Sequence, residues 1–303
     1  MQKKKILLPL LLLAPAFLAH QAYADEQVAS EPSQEVAVAT SAQEGNVPDG
    51  AIDTSVRSEE SASGQKSDLP EANIIHTNDV HGRIVEEKGV IGDAKLAAVI
   101  EEERKNNPST LVVDAGDAFQ GLPISNSSKG EERAKLLNEM GYDAMAVGNH
   151  EFDFGLDEAK KYKEILNFPL LSSNTYVNGA RLFEASTIVD KDKNVVGDEF
   201  VVIGVTTPET ATKTHPKNVQ GVTFKDPISE VNSVIDEVEA RAAAEGKTYK
   251  NYVVLAHLGV DTTTPVEWRG STLAEALSNN PKLKGKRSLS YSSIYNLWRQ
   301  CYL

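Results

Sequence analysis

The decapeptide AVGNHEFDFG, Ala146 to Gly155, sets Asn149, His150, Glu151 and Asp153 directly after a short apolar run and closes them with glycine. A carboxylate three residues beyond an imidazole can accept from one ring nitrogen, fix the tautomer and leave the other nitrogen for proton work. One histidine among acids is a weak signal, so the rest of the chain must supply partners. Asp79-Val80-His81 is the first of them. Residues i and i+2 of an extended segment point the same way, so this carboxylate and imidazole converge as a metal-ligand pair does. Asp117 offers a carboxylate able to bridge two cations, Asn149 a neutral amide oxygen, and His257 a further imidazole. Hard oxygen mixed with imidazole suits Zn²⁺, Mn²⁺ or Fe rather than Ca²⁺. Two such ions, roughly 3.5–4 Å apart, clamp a phosphate ester and lower the pKa of a shared water. His150 would then stabilise charge at the phosphate or help the leaving oxygen depart, with Asp153 orienting it.

These residues need elements to hold them, and the pattern supplies those. ANIIHT (72–77) is a short β-branched run ending at Asp79-Val80-His81. Residues 92–107 carry Leu96, Val99 and Ile100 at helical spacing, with Pro108 beyond the end. TLVVDAGD (110–117) reads as a buried strand, Glu131 to Met140 as a helix stopped by Gly141, and AMAV (144–147) as a third strand. A helix over Leu156 to Asn167 follows, then strands at 169–174, 186–190 and 199–207, a helix over Ile228 to Ala244, and a strand at 251–259. Strand, polar turn and helix in repetition define an α/β fold with largely parallel strands. Functional side chains of such folds collect beyond the strand C-termini, where the loops open on one edge. Here the polar clusters fall there four times.

The first 24 residues have three lysines, an apolar run from Ile6 to Leu18, and Ala22-Tyr23-Ala24, the order of a secretory signal cleaved after Ala24. The run is too short for a transmembrane span, so none is expected in the mature chain. Residues 25–70 are rich in Glu, Ser, Ala and Gln, contain no Phe, Trp or Tyr, and read as a disordered acidic linker. The net charge is −13, and loss of the three signal lysines takes it to −16, which repels nucleic acid polymers. Cys301 is the only cysteine, so no intramolecular disulfide forms and the core or a metal must hold the domain.

HTNDVHG (76–82), DAGDAFQG (114–121), GNHEFDFG (148–155) and LAHLGVD (255–261), in that order at strand ends, resemble the blocks of the calcineurin-like metallophosphoesterases. More narrowly they resemble the secreted 5'-nucleotidase and UDP-sugar hydrolase family. The resemblance covers about Glu71 to Gly285 and implies a four-layer α/β/β/α sandwich with a dinuclear metal site. It implies Asp79 and His81 on one metal, Asp117 bridging, Asn149 and His257 on the second, and His150 with Asp153 as catalytic dyad. It also implies two divalent ions, Zn or Mn, that activate a water for hydrolysis of phosphomonoesters of extracellular nucleotides, 5'-AMP first. The expected location is secreted or at the cell surface.

The family pattern continues through another strand to a Gly-His-x-His block and a base-gripping second domain. Here His257 is the last of six histidines, and after KLKGKR (282–287) the text SLSYSSIYNLWRQCYL is Ser/Tyr-rich and lacks an apolar strand. The expected layout is therefore signal 1–24, linker 25–70, a metallophosphoesterase domain over 71–287 that is incomplete at its C-terminus, and an aberrant or frameshifted tail over 288–303. An incomplete site would leave five metal ligands and an exposed sheet edge. Two other readings follow: a non-catalytic remnant that at most binds metal, and a cyclic-nucleotide phosphodiesterase or UDP-sugar hydrolase. Of the remaining candidates, His76 reads as a packed strand residue, His215 as an exposed loop, Asp114 as structural, Gln120 and Glu151 as support or surface, and Glu101–Arg104 as a solvated helix face.

Overall fold

The computed structural model describes residues 73–195 and 197–292. The expected signal segment and linker therefore lie outside the described residues, as do residues 293–303. Two four-stranded sheets face each other. The first holds β1 (Ile74–Thr77), β2 (Leu111–Asp114), β3 (Ala144–Ala146) and β4 (Leu170–Leu171) in sequence order, all parallel. Its crossovers carry α1 (Asp93–Asn106), the short α2 (Pro123–Asn126), α3 (Glu131–Met140) and α4 (Leu156–Ile165). Next come β5 (Thr175–Val177) and β6 (Ala180–Arg181), a hairpin, then β7 (Ser186–Val189) and β8 (Phe200–Thr206), an antiparallel pair. After them stand α5 (Thr210–Lys213), β9 (Val222–Phe224), α6 (Pro227–Ala244), β10 (Asn251–His257), α7 (Gly270–Ser278) and β11 (Arg287–Ser292). The second sheet runs β11-β10-β8-β7, with β10 parallel to both neighbours.

Side chains alternate across a strand, and that period of two builds the layers. Leu111 and Val113 of β2 face inward with Ala144, Ala146 and Leu171, and meet Phe200, Val202, Val253 and Leu255 of the second sheet. Val112 between them turns outward to Ile100, Ala134, Leu137 and Tyr162 of the helices. On the other side Val201, Ile203, Val205, Tyr252 and Val254 face Val231, Val234, Ile235 and Val238 of α6 and Leu273 and Leu277 of α7. Helices, sheet, sheet and helices make four layers. Gly204 continues the inner face of β8, where a Cβ would stand 2.4 Å from the Leu171 carbonyl oxygen, so the sheets close there only on glycine. The helix α6 starts where sequence rules place it: Asp226 accepts from Ser229 N at 2.8 Å and Pro227 occupies the first turn.

Several local expectations change. Residues 169–174 form only the two-residue β4, because Ser172 and Asn174 leave the strand to bind Thr206, Thr175 and Lys225, and Ser173 N donates to the Gly204 carbonyl. The parallel layout is interrupted by antiparallel β7 and by the small sheet β6-β5-β9, whose strands of two or three residues are too short to show a period. The tail from Ser288, read as lacking an apolar strand, supplies residues 288–292 of β11, paired with β10 from Asn251–Arg287 to Ala256–Ser292. The face Glu101–Arg104 is solvated at its start, but Arg104 is half-buried and donates to the Gly141 carbonyl at 2.6 Å and to Asp143 at 3.1 Å.

Candidate metal centre

Beyond the C-termini of β1, β2, β3 and β10, four loops meet. Main-chain bonds tie the first two together: Ala115 N donates to Thr77 O (2.8 Å), Asp79 N to Gly116 O (3.0 Å), His81 N to Asp117 O (3.0 Å) and Gly82 N to Ala118 O (3.1 Å). Asp79 and His81 each have φ 51° and Asp117 has φ 61°. The extended segment expected for Asp79-Val80-His81 is therefore absent. The pair converges through two left-handed residues, a conformation non-glycine residues adopt rarely and at a cost of order 1–3 kcal/mol each. Gly121 permits the next close approach, since a Cβ there would stand 2.2 Å from the His81 carbonyl oxygen.

The structure brings all seven expected side chains together. Asp117, buried, is shared by two groups of ligand atoms, Asp79–Asp117–His257 and His81–Asp117–His150, each within 4.8 Å. Asp79 and His81 also lie close to one another, and Asp117 stands between both groups. Distances are short: His257 Nε2 lies 3.2 Å from Asp117 Oδ2 and 3.0 Å from Asn149 Oδ1. His81 Nε2 stands 3.9 Å from both Asp79 Oδ1 and Asp117 Oδ2. His150 Nδ1 lies 2.6 Å from Asp153 Oδ2, the two residues flanking one turn of 3₁₀ helix (His150–Phe152). The His81 and His150 rings meet edge to face at 5.1 Å. The site grades from a closed floor at His257 (0% side-chain exposure) to an open side at His150 (32%).

The donor set fits divalent cations. Both nitrogens of His257 face oxygen atoms, Nδ1 toward the Ala115 carbonyl at 3.0 Å and Nε2 toward Asp117 and Asn149. The carbonyl demands the proton on Nδ1, so Nε2 must either carry a second proton or give its lone pair to a cation. Burial alone would lower the His257 pKa, but the Asp117 carboxylate overrides it and raises it to about 10. For Asp117 burial pushes upward, and His257 beside it pulls the net shift below the usual carboxylate range. His150 is lowered by burial and raised further by its bond to Asp153 and the field of Asp117.

Glu151 and Gln120, expected as support or surface, both support the site. Glu151 is fully buried, and its carboxylate accepts from Asp117 N (2.8 Å), Gly148 N (2.7 Å) and Ala118 N (3.0 Å). It clamps the loops after β2 and β3, and burial raises its pKa to about 7. Gln120 contributes its main chain, its carbonyl standing 3.0 Å from His81 Nδ1. Asp114 lies below the floor, accepting from Thr77 Oγ1 (2.6 Å) and Gly116 N (2.7 Å), as a structural residue does. His215 is exposed. His76 is half-buried on β1, and burial lowers its pKa to about 4.

A sandwich of two sheets with carboxylates, imidazoles and an amide gathered beyond its strand ends defines a candidate metal centre of hydrolytic type. The chain belongs to the calcineurin-like phosphoesterase family, whose profile matches residues 72–284. It is 40% identical over 175 residues to a 5'-nucleotidase of Vibrio cholerae, covering 55% of this chain and 31% of that protein. It is 32% identical over 204 residues to Protein UshA of Yersinia enterocolitica, covering 64% and 35%. Its fold is similar to the crystal structure of a 5'-nucleotidase precursor from Thermus thermophilus, with a TM-score of 0.51, 31% identity, and 61% and 37% covered. The chain spans about a third of the length of the curated relatives it matches. The family implies divalent metal ions. Among the described residues, no helix is long and apolar enough to cross a membrane.

Proposed function

We propose that this chain hydrolyses phosphomonoesters of extracellular nucleotides, with 5'-AMP as the first substrate to try. The observation that carries the reading is Asp117, one buried carboxylate common to two ligand groups. Asp79, His81, Asp117, Asn149 and His257 would hold two divalent ions, Zn or Mn. Bound there, such ions supply an activated water and neutralise phosphoryl charge. The chain's own residues do the rest. Asp117 keeps the two groups in register, and its Oδ1 accepts from His150 N at 2.8 Å, so the ligand and the dyad share one anchor. Asp153 holds the His150 Nδ1 proton, which leaves Nε2, on the open side, to donate to a phosphoryl or leaving oxygen. The signal-like first 24 residues support export, to the medium or the cell surface, with residues 25–70 as a spacer before the domain.

Phosphate release from 5'-AMP with added Mn²⁺ or Zn²⁺ tests this, with Asp117→Asn beside the parent chain and circular dichroism on both. Release that vanishes in the folded variant supports the reading. A folded parent chain that releases none makes the site a remnant.

A further inference from the structure

The dyad acid has two more partners, neither from the loops that carry the metal-ligand candidates. Asp153 Oδ1 accepts from Thr214 Oγ1 at 2.7 Å, and the Asp153 carbonyl accepts from Asn218 Nδ2 at 2.8 Å. Oδ2 is the oxygen that meets His150. We propose that Thr214, backed by Asn218, is a positioning residue for the His150–Asp153 pair. This rests on the reading that His150 serves phosphate chemistry.

The carboxylate plane of an aspartate is poorly set by its own rotamer, because its terminal torsion is broad. Asp153 is partly exposed, so packing alone does not fix that plane either. Two bonds on its two oxygens do: the imidazole on one, the threonine hydroxyl on the other. A hydroxyl donating to a charged acceptor is among the stronger neutral-to-charged bonds. It also leaves Oδ2 free to serve the ring alone, which holds Nδ1 as the donor and fixes the ring's orientation.

Thr214 is itself held. It is buried at 4% exposure, in the turn that leaves α5. That turn closes on the end of β8 through Thr210, whose N and Oγ1 both donate to the Thr207 carbonyl at 3.1 and 2.6 Å. Beyond Asn218, Val219 enters the core of the first sheet and its helices. The segment is thus pinned at both ends and presents one hydroxyl to an acid 61 residues earlier in the chain. Asp153 belongs to the loop after β3 and Thr214 to the loop after β8, so the second sheet sets the acid of the first sheet's dyad.

The test uses the full chain with ¹⁵N-labelled histidine and the variants Thr214→Val and Thr214→Ser. At neutral pH and low temperature the parent chain should show a downfield, slowly exchanging Nδ1 proton of His150, assigned by its loss in His150→Asn. Thr214→Val keeps the shape and removes the donor, so that signal should broaden or vanish. Its kcat for 5'-AMP should fall about tenfold with KM within about twofold, the mark of an interaction felt in the transition state. Thr214→Ser should restore both. An unchanged signal and kcat in Thr214→Val overturns the proposal. So does a Ser variant as deficient as Val, which would assign the effect to methyl packing. Should Thr214→Val fail to fold by circular dichroism, Thr214→Ala also removes the hydroxyl donor and is read the same way. A parent chain that releases no phosphate defeats the phosphoesterase reading alone, and the proton signal then decides the role of Thr214.

Discussion

Asp114→Asn should reverse part of the pH dependence of stability. Asp114 is completely buried beneath the site, one residue from the carbonyl of Ala115 that receives His257. Burial, with smaller repulsion from Glu151 and Asp79, raises its pKa from 3.8 to about 8, against the pull of bonds from Thr77 and Gly116. A folded pKa above the unfolded one means the folded state binds the proton more tightly. The stability it contributes is complete below pH 3.8 and is lost as pH rises through about 8. The loss runs at about 1.4 kcal/mol per unit, so from pH 5.5 to 7.5 this one group takes roughly 3 kcal/mol from the parent chain. Asparagine mimics the neutral acid: its oxygen can keep Gly116 N, and its amide can donate to Thr77 Oγ1, which stands 2.9 Å from the Tyr142 hydroxyl. It does not titrate. Urea melts of both chains in EDTA at pH 5.5, 6.5 and 7.5 isolate the term, because every other titrating group is common to the two. The difference should move toward the asparagine chain by roughly 3 kcal/mol, or about 6–12 °C in Tm for a domain of this size. Parallel stability curves would refute the argument, since they would require Asp114 to stay ionised in the fold.

Glu151→Ala should cost at least about 3 kcal/mol in the metal-free chain, because it strands three buried N–H groups at about 1–3 kcal/mol each; thermal melting reads it. Gly204→Ala should lose about 1–3 kcal/mol by overpacking against Leu171, seen as a lower urea midpoint with unchanged slope. Asp226→Ala should cost about 1 kcal/mol by loss of the α6 cap and leave Mn²⁺ binding, followed by calorimetry, unaltered.

The layers were legible because alternation and helical period were strong where burial is complete, as in Leu111–Val113, Phe200–Val205 and Val231–Val238. The gathering of Asp79, His81, Asp117, Asn149, His150, Asp153 and His257 was legible because a parallel sheet delivers its loops to one edge. What sequence hid falls into two kinds. Short strands of two or three residues, such as those of the β6-β5-β9 sheet, are too brief to show a period. Long-range polar contacts leave no period either. Nothing near Thr214 announces an acid 61 residues away, although the Glu of GNHE, next to His150, could have been weighed as an acceptor for its own loop. The extended reading of Asp79-Val80-His81 missed because the chain must fold back to lie against Gly116 and Ala118, which the left-handed residues at 79 and 81 allow.

Asp79, His81 and Asp117 sit in a costly backbone conformation, yet the bonds that repay it come largely from main-chain groups: Asp79 N, His81 N and Gly82 N to carbonyls of the neighbouring loop. The side chains add one bond each, Asn78 Nδ2 to Asp79 Oδ2 at 2.9 Å and His81 Nδ1 with the Gln120 carbonyl at 3.0 Å. Substituting them should therefore remove ligand atoms while leaving the loops in place, and Asp79→Asn or His81→Asn should fold with less than about 1 kcal/mol of lost stability, asparagine being among the residues that tolerate the left-handed region. Asp117 differs, since its Oδ1 holds His150 N and its Oδ2 is the counter-charge of buried His257. Removing that charge lets burial lower the His257 pKa, so the imidazole gives up its proton and the stabilisation of the pair is lost, on the order of 1–3 kcal/mol. A ranking in which Asp117→Asn destabilises the metal-free chain well beyond Asp79→Asn, while both lose Mn²⁺ affinity, would separate the frame from the ligands. Equal destabilisation by all three would mean that side-chain contacts, and not the main-chain ladder, hold the site open.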